Sequence, residues 1–225
     1  MKKRLRILVT AGPTREYFDP VRFLSNPSSG KMGYALAEEA SRRGHVVTLV
    51  SGPSSLTPKF KGPKSRLIRV VSAEEMYRAV IKQAPKADLI IMAAAVSDYR
   101  PAKYFSKKVK KKGKGMCITL VPTKDILKEL GRRKKPGQIL VGFAAETDHL
   151  VQNAQKKLRE KNLDFIVANY VGEKTGGFES EKNRATILTR NGKTLALPLL
   201  PKTSLACRIL IEITDTIPSD VRPRS

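Results

Sequence analysis

The chain has 225 residues, of which 40% are hydrophobic and 28% are charged, a balance typical of a folded globular protein. Its formal net charge of +24 favours anionic partners such as polyphosphates, nucleic acids or acidic membranes. No apolar run reaches the roughly 18 residues needed to span a bilayer, and the apolar stretch after the basic residues 2–4 is too short for a signal peptide. The sequence therefore predicts a cytoplasmic protein without a membrane span.

Cysteine and histidine are rare in this sequence. Cys117 and Cys207 lie far apart, so we predict two half-buried free thiols rather than a disulfide or a metal site. His45 and His149 are predicted to lie at the surface or in loops. A histidine-based metal site is therefore disfavoured.

The first half of the chain alternates short apolar runs with amphipathic segments. Met32, Leu36 and Ala40 recur four residues apart and predict a helix from Gly30 to Gly44, since glycine commonly follows a helix. The predicted strands cover residues 5–10, 46–50, 67–71 and 88–94, with a polar loop at 14–29 and a second helix at 73–83.

The second half begins with a segment rich in lysine, which predicts a flexible flap at about residues 100–116. Near the end of the chain, Asn191-Gly192 between two apolar runs is a strong signal for a β-hairpin. Residues 1–216 are predicted to form a single domain, followed by a disordered tail at 217–225. The remaining predicted strands cover residues 118–121, 139–144, 165–169, 185–190 and 194–199, and the helices 124–130, about 150–158 and 202–214.

Apolar strands that alternate with amphipathic helices are typical of a parallel sheet covered on both faces. The sequence therefore predicts an α/β fold, Rossmann-like and doubly wound around a mainly parallel sheet, with the lysine-rich flap and the C-terminal β-hairpin as additions. In such folds, ligands bind beyond the carboxyl ends of the strands.

Two predicted strand ends carry residues suited to a nucleotide or a phosphate. Ser28-Ser29-Gly30 opens a helix and would place backbone N–H groups and two hydroxyls at the positive end of its dipole. Plain N-capping by one of the serines is the alternative. Small residues at 93–95 would let a planar base approach the backbone, and Asp98 could hold a ribose or a divalent metal. A turn-capping aspartate is the alternative there.

Two further segments supply lysines. The Lys-Val-Lys-Lys run at 108–111 suits a flap that closes over a triphosphate, with nucleic-acid contact as the competing use. Lys157 and Lys161 lie four apart on one helical face, where a polyphosphate would relieve their repulsion; a solvated face is the alternative. The G-x-G-x-x-G fingerprint is absent and Ser51-Gly52 ends the second strand without an acid, so an NAD-type oxidoreductase is weakly supported.

The order of these motifs carries a family resemblance. The chain closely resembles bacterial phosphopantothenoylcysteine synthetase, the phosphopantothenate–cysteine ligase of coenzyme A biosynthesis, over about residues 5–214. The resemblance is to a stand-alone form without the flavin-dependent decarboxylase domain often fused to it. Pro27 and Ser97 are two small departures from the family pattern. The matching segments are residues 10–16, 19–22, 25–33, 94–100, 108–111, 142–147 and 176–183.

The resemblance implies a reaction in which CTP activates phosphopantothenate as an acyl-cytidylate and the amine of cysteine then displaces CMP. Asn26 matches the functional asparagine of the family and, because it cannot titrate, is interpreted as a hydrogen-bond donor to the acyl intermediate. The phosphate of the substrate is assigned to residues 28–30. The nucleotide-binding residues implied are Met92, Ala93, Ala94, Asp98, Lys108, Lys124, Asp125, Ile126, Leu127, Phe143, Lys157 and Lys161.

The resemblance also implies cofactors and partners. Mg²⁺ is expected to accompany the triphosphate, with Asp98 as its candidate ligand. A homodimer is implied, and we predict that residues 170–200 contact the partner; a separate phosphopantothenoylcysteine decarboxylase is a further candidate partner. Physical reasoning does not separate CTP from ATP. A basic nucleic-acid-binding protein remains the alternative class, disfavoured because few aromatic residues are interleaved with the lysines.

Overall fold

A computed structural model describes residues 4–61, 64–111, 113, 115–146, 149–170 and 181–216. Its main feature is an eight-stranded sheet, within which six neighbouring strands run parallel. In chain order the strands are β1 (Arg6–Ala11), β2 (Arg15–Tyr17), β3 (Phe23–Ser25), β4 (Val46–Ser51), β5 (Arg66–Arg69), β6 (Leu89–Met92), β7 (Tyr99–Pro101), β8 (Leu120–Pro122), β9 (Ile139–Glu146), β10 (Phe165–Tyr170), β11 (Lys182–Thr189) and β12 (Thr194–Pro201).

Helices cover both faces of the main sheet. The strands read as continuous apolar runs because their side chains are buried on both sides, as in Leu89–Met92. The helices are α1 (Lys31–Arg42), α2 (Ala73–Gln83), α3 (Ile126–Arg133), α4 (Leu150–Glu160) and α5 (Lys202–Thr214), with a short 3-10 turn at Ala84–Lys86. One apolar layer joins α1 and α5 to the sheet, and a second joins α2, α3 and α4 to the opposite face. The predicted Rossmann-like, doubly wound architecture is confirmed.

The strand order places β1 at the centre of the fold. The order is β12-β11-β10-β9-β6-β1-β4-β5, so the chain leaves β1 toward β4 and later returns to its other side at β6. α1 packs tightly on β1, since a Cβ atom added at Gly33 would lie 2.5 Å from the Cβ of Ala11. Glycine at this position lets the helix approach the strand, which fixes where the N-terminus of α1 meets the end of β1.

The predicted C-terminal hairpin is confirmed. β11 and β12 pair antiparallel and flank a turn at Asn191-Gly192, where Gly192 has φ +87°. β11 continues the sheet beyond β10, also antiparallel. Residues 171–180, part of the segment predicted to contact a partner, lie outside the described residues, as does the predicted tail at 217–225.

Two small antiparallel pairs correct the sequence prediction. The polar loop predicted at 14–29 contains the β2–β3 hairpin, and the strand predicted at 118–121 is β8, which pairs with β7 outside the main sheet. Three-residue strands are too short to produce a recognisable alternation, so the pattern missed β2, β3 and β7 and gave β8 only approximate bounds. The prediction that Cys117 is half-buried is also wrong, because its residue is exposed; Cys207 is half-buried.

Candidate active site

A cavity of about 320 Å³ opens at the carboxyl ends of β6, β9 and β10, beside the N-terminus of α1. The strand order reverses between β1 and β6, because the chain first adds strands on one side of β1 and then on the other; in open parallel sheets such a switch point is where ligands bind. The volume falls within the usual range for small-molecule sites. The lining residues are Asn26, Ser28, Gly30, Lys31, Met32, Gly33, residues 93–96, Asp98, residues 143–145, Lys157, Val167, Asn169, Asn183, Ala185, Lys202, Leu205 and Ile209.

Hydrogen bonds join the loops that follow β1 and β6. The backbone N–H of Ala95 donates to the carbonyl of Gly12 over 2.9 Å, and Thr14 N donates to Ala95 O over 3.3 Å. The buried hydroxyl of Thr14 accepts a further bond from Ser97 N at 3.0 Å. Because both loops are held to each other, the residues they carry keep a fixed spacing across the cavity.

Asn26 lies at the mouth of this cavity, immediately after β3. Its Nδ2 donates to the carbonyl of Val96 over 3.1 Å, and the neighbouring Ser25 hydroxyl donates to Thr14 O over 2.7 Å. An amide nitrogen carries two hydrogens, so one is committed to Val96 and the second can serve a ligand. Asn26 can therefore act as a neutral hydrogen-bond donor held in place by the loop after β6.

The N-terminus of α1 forms one wall of the cavity. Gly30 is the N-cap residue, with φ 80° and without a side-chain cap. A Cβ at Gly30 would lie 3.1 Å from the backbone nitrogen of Gly12, so glycine also permits this close approach. Ser28 lines the cavity and its hydroxyl accepts from Gly30 N at 3.3 Å, whereas Ser29 O accepts from the hydroxyl of Ser54 at 3.1 Å. The Ser29 hydroxyl accepts a long bond of 3.5 Å from Lys31 N, the first residue of α1, and the positive end of the helix dipole is suited to an anion.

Charged side chains around the cavity are mainly basic. Among the described lining residues, Lys31, Lys157 and Lys202 carry positive charge and Asp98 is the one carboxylate. Lys202 is only 7% exposed, and burial lowers the pKa of its ammonium group; the nearby Lys31 lowers it further, while Glu181 opposes this. Lys31 also pairs with the exposed Glu181. The balance of charge suits a ligand that carries several negative charges.

Lys157 is positioned by a carboxylate at the end of β9. Its Nζ lies 2.6 Å from Oε1 of Glu146, and Nδ2 of Asn153 donates to the other oxygen over 3.1 Å. The side chain of Glu146 is only 10% exposed, whereas that of Lys157 is 43% exposed. The buried carboxylate therefore orients a lysine that remains accessible from the cavity.

Asp98 is exposed at the rim of the cavity, and its backbone carbonyl accepts a bond from Thr123 N at 2.8 Å. Across the described ranges, no group of three or more His, Cys, Asp or Glu side chains could enclose a metal ion. A lone carboxylate fits Mg²⁺ that arrives with a nucleotide, since phosphate and water oxygens complete its coordination. Asp98 is thus suited to a metal carried by the substrate.

Comparison with known proteins identifies the family. Residues 2–217 match the family described as the DNA/pantothenate metabolism flavoprotein C-terminal domain. The chain belongs to this family. The coenzyme A biosynthesis bifunctional protein CoaBC of Bacillus subtilis is 48% identical over 209 residues, which cover 92% of this chain and 50% of that protein. The chain therefore spans about half the length of the curated relatives it matches.

Solved structures agree with this family assignment. The crystal structure of the C-terminal domain of the coenzyme A biosynthesis bifunctional protein CoaBC is 45% identical, covers 94% of each chain and has a TM-score of 0.78. A Cab2 mutant in complex with phosphopantothenate-cysteine has a TM-score of 0.76 at 18% identity, over 94% of this chain and 86% of that one. At that identity the likeness supports the fold alone.

A second hollow, of about 560 Å³, is lined by three of the predicted nucleotide-binding residues. Lys124, Asp125 and Lys161 line it, and Nζ of Lys161 lies 3.0 Å from Oδ2 of Asp125. Asp125 also caps α3 by accepting from Lys128 N at 2.9 Å. Lys157 and Lys161 therefore face different hollows, although they lie four residues apart.

Other predicted residues have different surroundings. Met92 and Ile126 are 7% and 3% exposed and belong to the core, so a nucleotide could reach them mainly through their backbone. Leu127 is half-buried and packs against the same core layer. Lys108 is exposed on the flap and lies outside the lining of either hollow. The nucleotide roles of these residues stay predictions.

The sequence analysis assigned no individual role to four polar residues that line the cavity. Lys31, Asn169 and Asn183 lie within the segments 25–33, 165–169 and 176–183 that it identified, whereas Lys202 is the first residue of α5. Lysine at a helix start gives no periodic signal of burial. Its proximity to the cavity follows from the packing of α5 against α1, which joins segments far apart in the chain.

Proposed function

We propose that this chain is a phosphopantothenate–cysteine ligase of coenzyme A biosynthesis that uses CTP. The observation that carries the proposal is the convergence of Asn26, Asp98, Phe143 and Lys157 on one cavity, although four separate segments supply them. The surplus of lysines in the lining suits the phosphate groups of both substrates. The names of the relatives, which belong to coenzyme A biosynthesis, support the same activity.

In the first step, a carboxylate oxygen of phosphopantothenate attacks the α-phosphorus of CTP. A new C–O–P linkage forms, the bond to the β-phosphate breaks, and diphosphate leaves with its electrons. Lys157 would neutralise charge that develops on the phosphoryl oxygens, and Asp98 would hold the Mg²⁺ that the triphosphate carries. Phe143 and the small residues Ala93 and Ala94 offer apolar surface to the base.

In the second step, the amine of cysteine attacks the acyl carbon. An amide bond forms, the acyl–oxygen bond breaks, and CMP leaves with the bridging oxygen while the amine loses a proton. Negative charge develops on the acyl oxygen in the tetrahedral intermediate. Asn26 would donate its second amide hydrogen to that oxygen, because its first is held by Val96.

The phosphate of phosphopantothenate is assigned to the N-terminus of α1. Ser28 and Gly30 line this end of the cavity, and the helix adds its positive dipole end. Ser29 belongs to the same turn but packs beside Ser54, so its role in this proposal is to shape the turn.

The proposal is tested by diphosphate release. The chain is incubated with Mg²⁺, phosphopantothenate and cysteine, and each of the four nucleoside triphosphates is supplied in turn. We expect release that requires phosphopantothenate and is fastest with CTP. If ATP is the one triphosphate that supports release, the nucleotide substrate is ATP rather than CTP. If none of the four supports release, the proposed ligase activity is refuted.

The assembly and location of the protein are part of the same proposal. We infer a homodimer in the cytoplasm, with a separate decarboxylase as a candidate partner. In the part of the chain that is described, no helix is long and apolar enough to cross a membrane. Light scattering at several protein concentrations tests the dimer: a mass of about 25 kDa throughout would contradict it.

A further inference from the structure

The flap crosses the tip of the β2–β3 hairpin, and one buried carboxylate joins the two segments. The side chain of Asp19 is fully buried, and it accepts hydrogen bonds through both oxygens. Oδ1 accepts from Val21 N and Arg22 N at 2.9 Å each, which closes the hairpin tip on itself. Oδ2 accepts from Val109 N, a residue of the flap, at 3.1 Å.

Arg22 completes this contact. Its Nε donates to Oδ2 of Asp19 at 3.0 Å, and its Nη2 donates both to that oxygen and to the backbone carbonyl of Val109, the latter over 2.8 Å. The N–H and the carbonyl of Val109 are therefore both held by one ion pair. A further bond, from Phe105 N to Phe18 O at 2.8 Å, fixes the flap nearer its start.

The two oxygens of Asp19 have different sets of partners. Oδ1 accepts from backbone N–H groups of the hairpin tip, whereas Oδ2 accepts both from the Arg22 side chain of the hairpin and from Val109 N of the flap. The contacts to Val109 also involve only backbone atoms of the flap. The side chains of Lys108 and Lys110 on either side are left exposed and available for a ligand.

The same hairpin also supplies Asn26 to the cavity. β3 begins directly after Arg22 and ends at Ser25, so only a three-residue strand separates the flap contact from Asn26. β3 is paired with β2 from Arg15 to Tyr17, which keeps this short connection extended. The hairpin therefore fixes the position of the flap relative to Asn26.

We propose that Asp19 and Arg22 are positioning residues that hold the flap through Val109, so that Lys108 is presented to the triphosphate of the nucleotide. This inference rests on the proposed ligase function for the identity of the ligand. The contact of the flap with the hairpin does not depend on that function and can be tested without any substrate.

Val109→Pro tests the contact without changing the hairpin, because proline has no backbone N–H. Val109→Ala is the matched control, since it keeps both backbone groups. Loss of a hydrogen bond to a charged group is expected to increase the rate of tryptic cleavage at Lys107, Lys110 and Lys111 about tenfold, read by mass spectrometry in the full chain. The bond after Lys108 is left out of the comparison, because trypsin does not cleave before proline. Equal cleavage rates in Val109→Pro and Val109→Ala would overturn the proposal.

Kinetics of the same two variants test what the contact does. We expect kcat/KM for the nucleotide to fall about tenfold in Val109→Pro relative to Val109→Ala, with the KM for cysteine and the Tm unchanged. An equal loss for nucleotide and cysteine, or a lower Tm, would mean a merely structural role and would overturn the proposal. If the parent chain has no nucleotide-dependent activity, the proposed function fails, while the cleavage comparison still decides the contact.

Asp19→Asn is the second variant, because it keeps the size of the side chain and removes its charge. Arg22 lowers the pKa of Asp19 well below its usual range, backbone N–H donors act in the same direction, and burial opposes them. The contact is therefore expected to persist at pH 5. Asp19→Asn should raise cleavage of the flap as Val109→Pro does; a flap as protected as that of the parent would contradict the role of the carboxylate.

Discussion

The side-chain amide of Asn26 donates to the backbone carbonyl of Val96 over 3.1 Å and so ties the loop after β3 to the loop after β6. The first loop leads into the helix end assigned to the substrate phosphate, and the second carries Ala93, Ala94 and Asp98. One hydrogen bond thus links the two parts of the cavity that the proposed reaction must bring together.

Asn26→Asp should bind the nucleotide but stall the second step. A carboxylate has no hydrogen to donate to the acyl oxygen, and it would also face the carbonyl of Val96. We expect a burst of diphosphate close to one equivalent, followed by product formation at least about a hundredfold slower than in the parent, which is the usual cost of an oxyanion donor. Product formation at the parental rate would defeat the role of Asn26.

Lys157→Met should weaken nucleotide use, and Lys156→Met offers a matched control on the same helix. Lys157 lines the cavity and is oriented by Glu146, whereas Lys156 is 70% exposed and lies 4.0 Å from Glu160. Loss of one charged contact is expected to raise the KM for CTP about tenfold. Equal steady-state parameters for the two variants would contradict a role for Lys157 in binding.

Lys202→Met should raise the KM for phosphopantothenate with little change in the KM for cysteine. The lowered pKa means that Lys202 loses its proton, and with it its attraction for an anion, at a lower pH than an ordinary lysine. Affinity for phosphopantothenate is therefore expected to fall as the pH rises, and the fall should begin at a lower pH than the deprotonation of an ordinary lysine would cause. Calorimetric titration at several pH values measures this, and an identical pH profile in the variant would refute it.

Gly33→Ala should destabilise the fold, because its Cβ would lie 2.7 Å from the carbonyl oxygen of Thr10 as well as against Ala11. Displacing α1 from β1 is expected to cost about 1–3 kcal/mol, the typical cost of overpacking. Gly115→Ala is the control, since an added Cβ there meets no atom within 4 Å. Urea unfolding compares the two, and a Gly33→Ala midpoint equal to that of the control would show that the helix can shift freely.

Regular elements could be predicted because each repeats a local pattern. The spacing of Met32, Leu36 and Ala40 identified α1, and Asn191-Gly192 identified the hairpin of β11 and β12. The predicted helix at 202–214 coincides with α5. An element as short as the three residues of β2 does not repeat the apolar–polar alternation, so the sequence pattern carries too little information to predict it.

Parts of the site depended on tertiary contacts that no local pattern encodes. The motif segments contain Asn26, Asp98 and Phe143, helical spacing pointed to Lys157, and all four residues line one cavity. The helical spacing of Lys157 and Lys161 could not reveal their different ion-pair partners. Lys157 pairs with Glu146 beside the cavity, whereas Lys161 pairs with Asp125 in the second hollow. Similarly, nothing near Asp19 in the sequence indicates its bond to Val109, since ninety residues separate them.

The most direct test follows the carboxylate oxygens of phosphopantothenate. Both are labelled with ¹⁸O, the full reaction is run with CTP and cysteine in ordinary water, and the CMP is examined by mass spectrometry. An acyl-cytidylate requires that CMP leave with one labelled oxygen, because the bridging atom comes from the carboxylate and the amine attacks carbon. CMP that carries no ¹⁸O, formed alongside the amide product, would contradict the account.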